Sequence, residues 1–302
     1  MSIDTSPAPA PSLKGRRRTF RQWFRVLGWR HLVAIVAIAF AILPVLWVIS
    51  AAFTTDPTIS GGSLLPREPT TDNFTTLFTN PDQPYLKWYL NTMVLAALVS
   101  FFTVLIAASA AYAFSRFRFK GRKVGMMFLL LVQMFPQFLA LVAIYLIMAQ
   151  ISDVFGAIGL DTLAGLGLVY LGGSMGVNAW LIKGFFDTIP MEIDESAKVD
   201  GATHGQVFWG IILPLATPVL AVVGLLSFIG IINEFVIASS LLQSPEKKTL
   251  AVGLYGFINQ QYSENWGPFA AGALLAAIPV VILFIFLQKF IVGGLTQGSV
   301  KG

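Results

Sequence analysis

The residues whose types and spacing fit a specific interaction lie between Glu195 and Pro214. This stretch is a polar, partly acidic island between two long apolar segments, and its fixed letters follow the pattern E-x-A-x3-G-x9-I-x-L-P. Pro190 and the acids after it are typical of a helix start, and Gly201 supplies a stop. The stretch therefore predicts a short helix in a solvent-exposed loop.

The same short helix carries features that suit docking. Asp194 and Lys198 lie four residues apart, which predicts an ion pair, and Ile193 and Ala197 share the same spacing and predict a small apolar stripe. One alternative is an amphipathic helix lying on the lipid surface. The acidic balance of the loop argues against anionic lipid, so the pattern favours docking to a protein.

Groups for covalent or metal chemistry are scarce. The chain has no cysteine, and its two histidines, His31 and His204, have neither a partner histidine nor an acid cluster at ligand spacing. No GxxxxGK[ST] phosphate loop is present, which excludes ATP binding by that route. We therefore predict that the chain is not an enzyme, has no catalytic residue and holds no metal.

The composition is that of a membrane protein, with 56% hydrophobic and 12% charged residues. Six segments are apolar over the roughly 20 residues that a helix needs to cross a bilayer, which predicts an all-α integral membrane bundle. Pro44, Pro136 and Pro279 lie inside three of them and are read as kinks, and small residues in the second favour close helix packing. The six predicted spans are residues 31–53, 90–114, 124–149, 163–182, 212–238 and 269–291.

The basic residues define an orientation. Of the 20 lysines and arginines, 16 fall on one side of these spans, which predicts that both termini are cytoplasmic. Because the net charge of +5 follows this topology, nucleic acid is not an expected partner. The predicted organisation is a basic, disordered tail (1–30), a first helix (31–53), an extracytoplasmic loop (54–88), a transmembrane domain (90–291) that contains the cytoplasmic loop 184–211, and a carboxyl-terminal tail (292–302).

The pattern that starts at Glu195 resembles the cytoplasmic signature loop of permeases of binding-protein-dependent ABC importers, with Ser196 where alanine is usual. Other segments extend this resemblance to the shorter permease subunits of maltose/maltodextrin-type carbohydrate importers, over roughly Asn91 to Gly302. They are Phe185–Pro190, Ser227–Ile229, Asn233–Phe235, Thr249–Gly253, Trp266–Ala273 and Gly294–Gly302.

The resemblance implies a type I ABC importer permease fold in the cell's cytoplasmic (inner) membrane. It implies four partners besides the lipid bilayer: a longer permease, two ATPase chains and an extracytoplasmic sugar-binding protein. ATP and Mg are expected on the ATPase chains, so no cofactor is expected here. The residues matching the coupling helix, which docks in the ATPase, are Glu195, Ser196, Ala197, Asp200, Gly201, Ala202, Ile211, Leu213 and Pro214.

The resemblance also assigns an outer loop and the carboxyl tail. The loop would contact the binding protein through Phe257, Asn259, Gln260, Gln261, Tyr262 and Asn265. The tail would contact the ATPase through Gly298, Ser299, Val300, Lys301 and Gly302. The plainer alternatives are a polar connector and a frayed terminus. Bound maltodextrin is expected mainly on the longer subunit, so few sugar contacts are expected in this chain.

Glu234 is the single acid inside an apolar segment. Its position near the predicted outer end of a span favours a structural role, while a place in the lining of the translocation cavity remains the alternative. The predicted function is a permease subunit for an oligosaccharide such as maltose or maltodextrin. The alternatives are another sugar, such as trehalose or a polyol, and a self-contained secondary transporter, which would need ion-coupling acids in mid-membrane or a repeat.

Overall fold

The computed structural model describes residues 24–55, 64–66, 68–259 and 265–297, and the regular elements within these ranges are helices. The chain divides into two units, 1–47 and 48–302, and the site described below lies in the second. The main helices are α1 (Trp29–Ala52), α2 (Asp72–Thr79), α3 (Tyr85–Arg116), α4 (Arg122–Met134), α5 (Gln137–Val154), α6 (Leu163–Phe186), α7 (Met191–Val199), α8 (His204–Leu215), α9 (Thr217–Asn233), α10 (Val236–Leu241), α11 (Leu250–Ile258) and α12 (Trp266–Gln297).

Among the described residues, four helices, α1, α3, α6 and α12, are long and apolar enough to cross a membrane. Two bent pairs also meet that test, α4 with α5 at 98° and α8 with α9 at 78°. If each pair is one span, the number is the predicted six. The chain is thus a multi-pass membrane protein.

Proline behaves differently in different spans. Pro44 and Pro279 lie inside continuous helices, so neither ends a span. The prediction that Pro136 only kinks a span is wrong, because α4 ends at Met134 and α5 begins at Gln137. Proline has no N–H to donate and disfavours helical geometry in the residue before it, and Phe135 is accordingly extended.

Other predicted bounds also change. The predicted span 212–238 contains a shorter helix, α9, which begins after a break at Ala216 and ends before the extended residue Glu234. The predicted irregular loop 54–88 contains α2 and the first turn of α3. These segments carry apolar residues that pack inward, such as Leu77, which is fully buried.

Three clusters of buried side chains stack along α3. An outer cluster includes Trp88, and a middle cluster includes Leu95 and Ala96. An inner cluster includes Ala107 and Ala111. The buried alanines of α3 confirm the prediction of close packing through small side chains. Because α3 crosses all three clusters, it connects the end of the bundle that carries α7 to the end that carries α2 and α11.

Candidate functional site

Helix α7 forms where the signature pattern predicts it. It begins after Pro190, with Glu192 and Asp194 in its first turn. At its end, the Gly201 N–H donates to the Lys198 carbonyl (3.0 Å) and the Ala202 N–H donates to the Ala197 carbonyl (2.9 Å). This is a Schellman motif, and it needs the left-handed backbone of Gly201, whose φ is 87°.

The predicted ion pair between Asp194 and Lys198 is wrong. Asp194 pairs instead with Arg116 at the end of α3, with 3.0 Å between Oδ2 and Nε, and the two side chains are only 6% and 5% exposed. The Nε–H of Arg116 is not aligned for a hydrogen bond to the carboxylate, so the contact is chiefly Coulombic. Arg116 also donates through Nη2 to the Ile189 carbonyl (3.0 Å). The arginine thus fixes both the start of α7 and its buried face.

A second polar group holds the segment that leads into α7. Ser115 donates to Asp187 (2.7 Å), and Lys183 pairs with the same carboxylate. Burial raises the pKa of Asp187, but the hydrogen bonds from Lys183 and Ser115 outweigh it and leave that pKa below its ordinary value. Arg122 donates to the Ser115 carbonyl (3.2 Å) and links α4 to this group. These contacts therefore connect the ends of α3 and α6 just before the start of α7.

The apolar stripe of α7 does not face outward, as a docking stripe would. Ile193 and Ala197 pack against the inner cluster of this chain. The exposed face carries Glu195, Ser196 and Val199, and Val199 is 87% exposed. The helix therefore rests on its own bundle through the stripe and presents the opposite face to any partner.

The rest of the signature anchors the loop. Thr203 and Gln206 form a capping box that starts α8, and Val207 and Ile212 are fully buried in the inner cluster. Of the motif positions, Ile211 and Leu213 are half-buried and Pro214 is exposed. The spacing Thr203-x-x-Gln206 before an apolar run could have indicated these anchors from the sequence.

A cavity of about 290 Å³, lined by both polar and apolar residues, lies in the bundle between α3, α4, α6 and α9. Ser174 is the twelfth of the 24 residues of α6, which places the cavity about half-way along that helix. Apart from Glu234, its polar side chains are uncharged, and the lining includes no lysine, arginine or histidine. The polar lining residues are Thr103, Gln133, Tyr170, Ser174, Asn178, Ser227 and Glu234.

Glu234 has the structural role weighed from the sequence. Its carboxylate accepts from the Ile237 and Ala238 N–H groups (2.7 and 3.0 Å) and caps α10. It also accepts from the Tyr170 hydroxyl, and its side chain lines the cavity. A half-buried carboxylate with three donors is well compensated inside a membrane bundle.

Gln133, which the sequence did not single out, joins α4 to the middle of α6. Its Nε2 donates to the Gly173 carbonyl (3.1 Å), and its Oε1 accepts from the Val177 N–H (2.6 Å). These two backbone groups would otherwise bond each other within α6. Gly176 makes room for the amide, because a Cβ at that position would lie 2.6 Å from Gln133 Oε1.

The outer loop assigned to a binding protein differs in part from the prediction. Phe257 is 1% exposed and packs edge-on against Trp88, so its predicted role in contacting a partner is wrong. Asn259 and Asn265 are exposed, and the Asn265 N–H donates to the Phe257 carbonyl (3.0 Å), which closes the loop at its base. Gln260, Gln261 and Tyr262 lie outside the described residues, as do the tail residues Gly298 to Gly302.

The segment 243–248 is held from two sides. Asp161 accepts from the N–H groups of Gln243 and Ser244 (both 2.9 Å) and pairs with Lys247 (3.1 Å). Burial raises the pKa of Asp161, but the hydrogen bonds outweigh it and lower that pKa to about 2. From α3, Asn91 donates to the Glu246 and Lys248 carbonyls (2.9 and 3.1 Å).

Two relatives that are named as sugar transport permeases align with most of this chain. The galactooligosaccharides transport system permease protein GanQ of Bacillus subtilis is 42% identical and aligns with 93% of this chain and 98% of its own length. The maltose/maltodextrin transport system permease protein MalG of Escherichia coli K12 is 38% identical over 90% and 95%.

A solved structure shows the same fold. A bacterial ABC transporter involved in the import of the acidic polysaccharide alginate matches with a TM-score of 0.71 at 24% identity, over 90% of this chain and 99% of that one. The family model of the binding-protein-dependent transport system inner membrane component matches residues 103–296, which include α7 and every residue lining the cavity except Val99. This chain therefore belongs to the family of inner membrane components of binding-protein-dependent transport systems.

Proposed function

We propose that this chain is a permease subunit of an ATP-driven importer and forms part of the translocation pathway for a neutral oligosaccharide of the maltodextrin or galactooligosaccharide type. The observation that carries the proposal is α7, which is fastened to its own bundle by the Arg116–Asp194 pair and presents an exposed face around Glu195 and Val199. The relatives support the sugar class, since they are named as permeases for these two kinds of saccharide.

The lining of the cavity supports a neutral cargo. An acidic polysaccharide would favour a pathway with cationic side chains, and none is among the residues that line the cavity. Amides and hydroxyls, which both donate and accept, match the hydroxyl groups of a neutral sugar. A maltodextrin or galactooligosaccharide therefore fits this lining better than an alginate does.

The mechanism we infer is alternating access. Two ATPase partners bind ATP and Mg, and their closure moves α7, while this chain itself takes no cofactor and is not catalytic. Because Asp194 is paired with Arg116 at the end of α3, a displacement of α7 pulls on a helix of 32 residues that passes the cavity. The longer permease completes the pathway in the cytoplasmic membrane, and both termini face the cytoplasm.

The test is transport by the complete complex in proteoliposomes, with the binding protein outside and ATP inside. We expect uptake of maltotriose or of β-1,4-galactotriose, and none of an alginate trisaccharide. Trehalose is a second neutral probe. Uptake that continues without ATP or without the binding protein would identify a self-contained carrier and contradict the proposal.

We further propose that the loop 259–265 contacts the binding protein and favours sugar release. Asn259 and Asn265 are exposed at its base, and Gln260, Gln261 and Tyr262 supply groups that can hydrogen-bond like a sugar. A segment that binds the empty cleft better than the filled one would shift the binding protein toward release.

Deletion of Gln260–Ser263 should therefore lower uptake at saturating sugar while complex assembly is unchanged. A matched control replaces the same four residues with Gly-Ser-Gly-Ser, which keeps the length but removes the side chains. If both variants transport at the wild-type rate, the loop is only a connector.

A further inference from the structure

We propose that the cavity between α3, α4, α6 and α9 is a sugar-binding site belonging to this chain, in which the side-chain carbonyl of Asn178 and the hydroxyl of Ser227 bind hydroxyl groups of the oligosaccharide in transit. The inference rests on the proposed function and adds the residues that contact the cargo. It departs from the sequence-based expectation that such contacts are few in this chain.

The first argument is hydrogen-bonding capacity that the protein does not use. Asn178 donates through Nδ2 to the Ser174 carbonyl (2.8 Å), and within the described residues its Oδ1 accepts no hydrogen bond. The hydroxyl of Ser227 has no hydrogen-bond partner within the same ranges, although serines in these helices commonly donate to a carbonyl one turn back, as Ser109 does to Leu105 (2.8 Å). Both side chains are half-buried and line the cavity, so their free oxygen atoms are available to water or to a ligand there.

The second argument is that the neighbouring polar groups are already engaged and hold the cavity open. Thr103 and Ser174 bond each other at 3.0 Å, and Gln133 bonds two backbone groups of α6. Tyr170 donates to Glu234, which also accepts from the Ile237 N–H at the start of α10. The two free groups therefore stand on a framework that other side chains fix, which is the arrangement of a preformed site.

The third argument is size and chemistry. A volume of about 290 Å³ lies at the lower edge of the range for small-molecule sites, roughly 300–1,000 Å³. Val99, Leu226 and Ile231 supply apolar surface beside the polar groups. A pyranose ring presents hydroxyl groups on one side and C–H groups on the other, so the cavity suits one sugar unit of the oligosaccharide in transit.

The chain provides a matched control for Asn178. Asn233 makes the same bond one turn back, from Nδ2 to the Ile229 carbonyl (3.0 Å), but it lines an apolar groove beside α11 and α12. For Ser227 the control is Ser109, whose hydroxyl is engaged. The chain has no cysteine, so each single-cysteine variant of this subunit has one thiol that a reagent can label.

The experiment places Asn178→Cys, Ser227→Cys and Asn233→Cys separately in the full complex with cysteine-free partners. Each complex, turning over ATP with its binding protein, is treated with a water-soluble methanethiosulfonate reagent, with and without maltotriose or β-1,4-galactotriose. We expect the transported sugar to slow modification at positions 178 and 227 several-fold and to leave position 233 unchanged. Equal rates with and without sugar at 178 and 227, or no modification there under any condition, would overturn the assignment.

A second measurement uses uptake at saturating binding protein. Asn178→Leu and Ser227→Ala should each lower the rate about 3- to 10-fold, the effect of one lost hydrogen bond, while Asn233→Leu and Ser109→Ala stay near wild type. Wild-type rates in Asn178→Leu and Ser227→Ala would refute the site and leave the proposed function standing. Absence of neutral-sugar uptake by the wild-type complex would instead refute the proposed function.

Discussion

Replacement of Asp194 by asparagine should release α7 from the bundle without unfolding the rest of the chain. Asp194 and Arg116 are 3.0 Å apart, and their side chains are 6% and 5% exposed. In Asp194→Asn the guanidinium keeps its bond to the Ile189 carbonyl but loses its only buried counter-charge among the described residues. The variant therefore leaves a buried charge uncompensated.

The size of the effect follows from this burial. Removal of one partner of a buried pair costs about 3–5 kcal/mol. If that loss falls on the local opening of α7, amide exchange in the helix should accelerate by roughly two to nearly four orders of magnitude. The pair Lys183–Asp187 gives the comparison, because its side chains are 21% and 42% exposed and such pairs contribute about 0–1 kcal/mol.

The assay is hydrogen exchange with mass spectrometry on the peptide 188–203 in the purified complex. Asp194→Asn should expose α7, Lys183→Met should change its exchange about fivefold at most, and the double variant Arg116→Met/Asp194→Leu should recover much of the protection by replacing charge with apolar contact. If Asp194→Asn exchanges no faster than Lys183→Met, the pair does not fasten α7 and the reasoning is refuted.

Three further predictions concern the same elements. Gly201→Val should strain the left-handed backbone, whose φ is 87°, by about 1–2 kcal/mol without a steric clash, since no atom lies near the added Cβ, and should lower the sugar moved per ATP. Gly201→Asn should retain more coupling and Gly205→Ala should be neutral, whereas a fully coupled Gly201→Val would contradict the role of the turn. The carboxylate of Asp161, with its pKa lowered to about 2, should protect the amides of the segment 243–248 from exchange fully above about pH 4, and this protection should fade as the pH falls toward 2. Asp161→Asn should remove this pH dependence of amide exchange, and a dependence that persists in the variant would contradict the role of Asp161. Reporter fusions at Gly121 and Gly302 should report the cytoplasm and those at Asn80 and Ser263 the outside, and a cytoplasmic signal at Ser263 would overturn the six-span topology.

Local signals in the sequence predicted α7 well. Pro190, the acids after it and Gly201 act within a few residues, so the helix begins and ends as expected. The spans were found for the same reason, since length and apolar composition decide whether a segment crosses a membrane. The fold class follows from these two features.

The contacts that organise the site depend on distant residues and were missed. Lys198 was the nearest partner for Asp194 along the helix, but burial of the helix face selects Arg116 from α3. Pro136 ends a helix where Pro44 does not, and Gln133, just before that break, bonds α6. These pairs join residues of different helices, so the periodicity of one segment does not predict them. For the same reason, the residues that line the cavity could be identified only from the packed bundle.

The central claim, that α7 couples this chain to an ATPase through its exposed face, is tested most directly by cross-linking. Val199→Cys would be the only cysteine of the chain and is on the exposed face, while Ile193→Cys faces the inner cluster. With a bifunctional maleimide and an ATPase that carries one cysteine at its membrane-facing surface, we predict that Val199→Cys cross-links in a yield that changes with ATP, and that Ile193→Cys does not. No cross-link from Val199→Cys, or equal yields from both positions, would contradict the account.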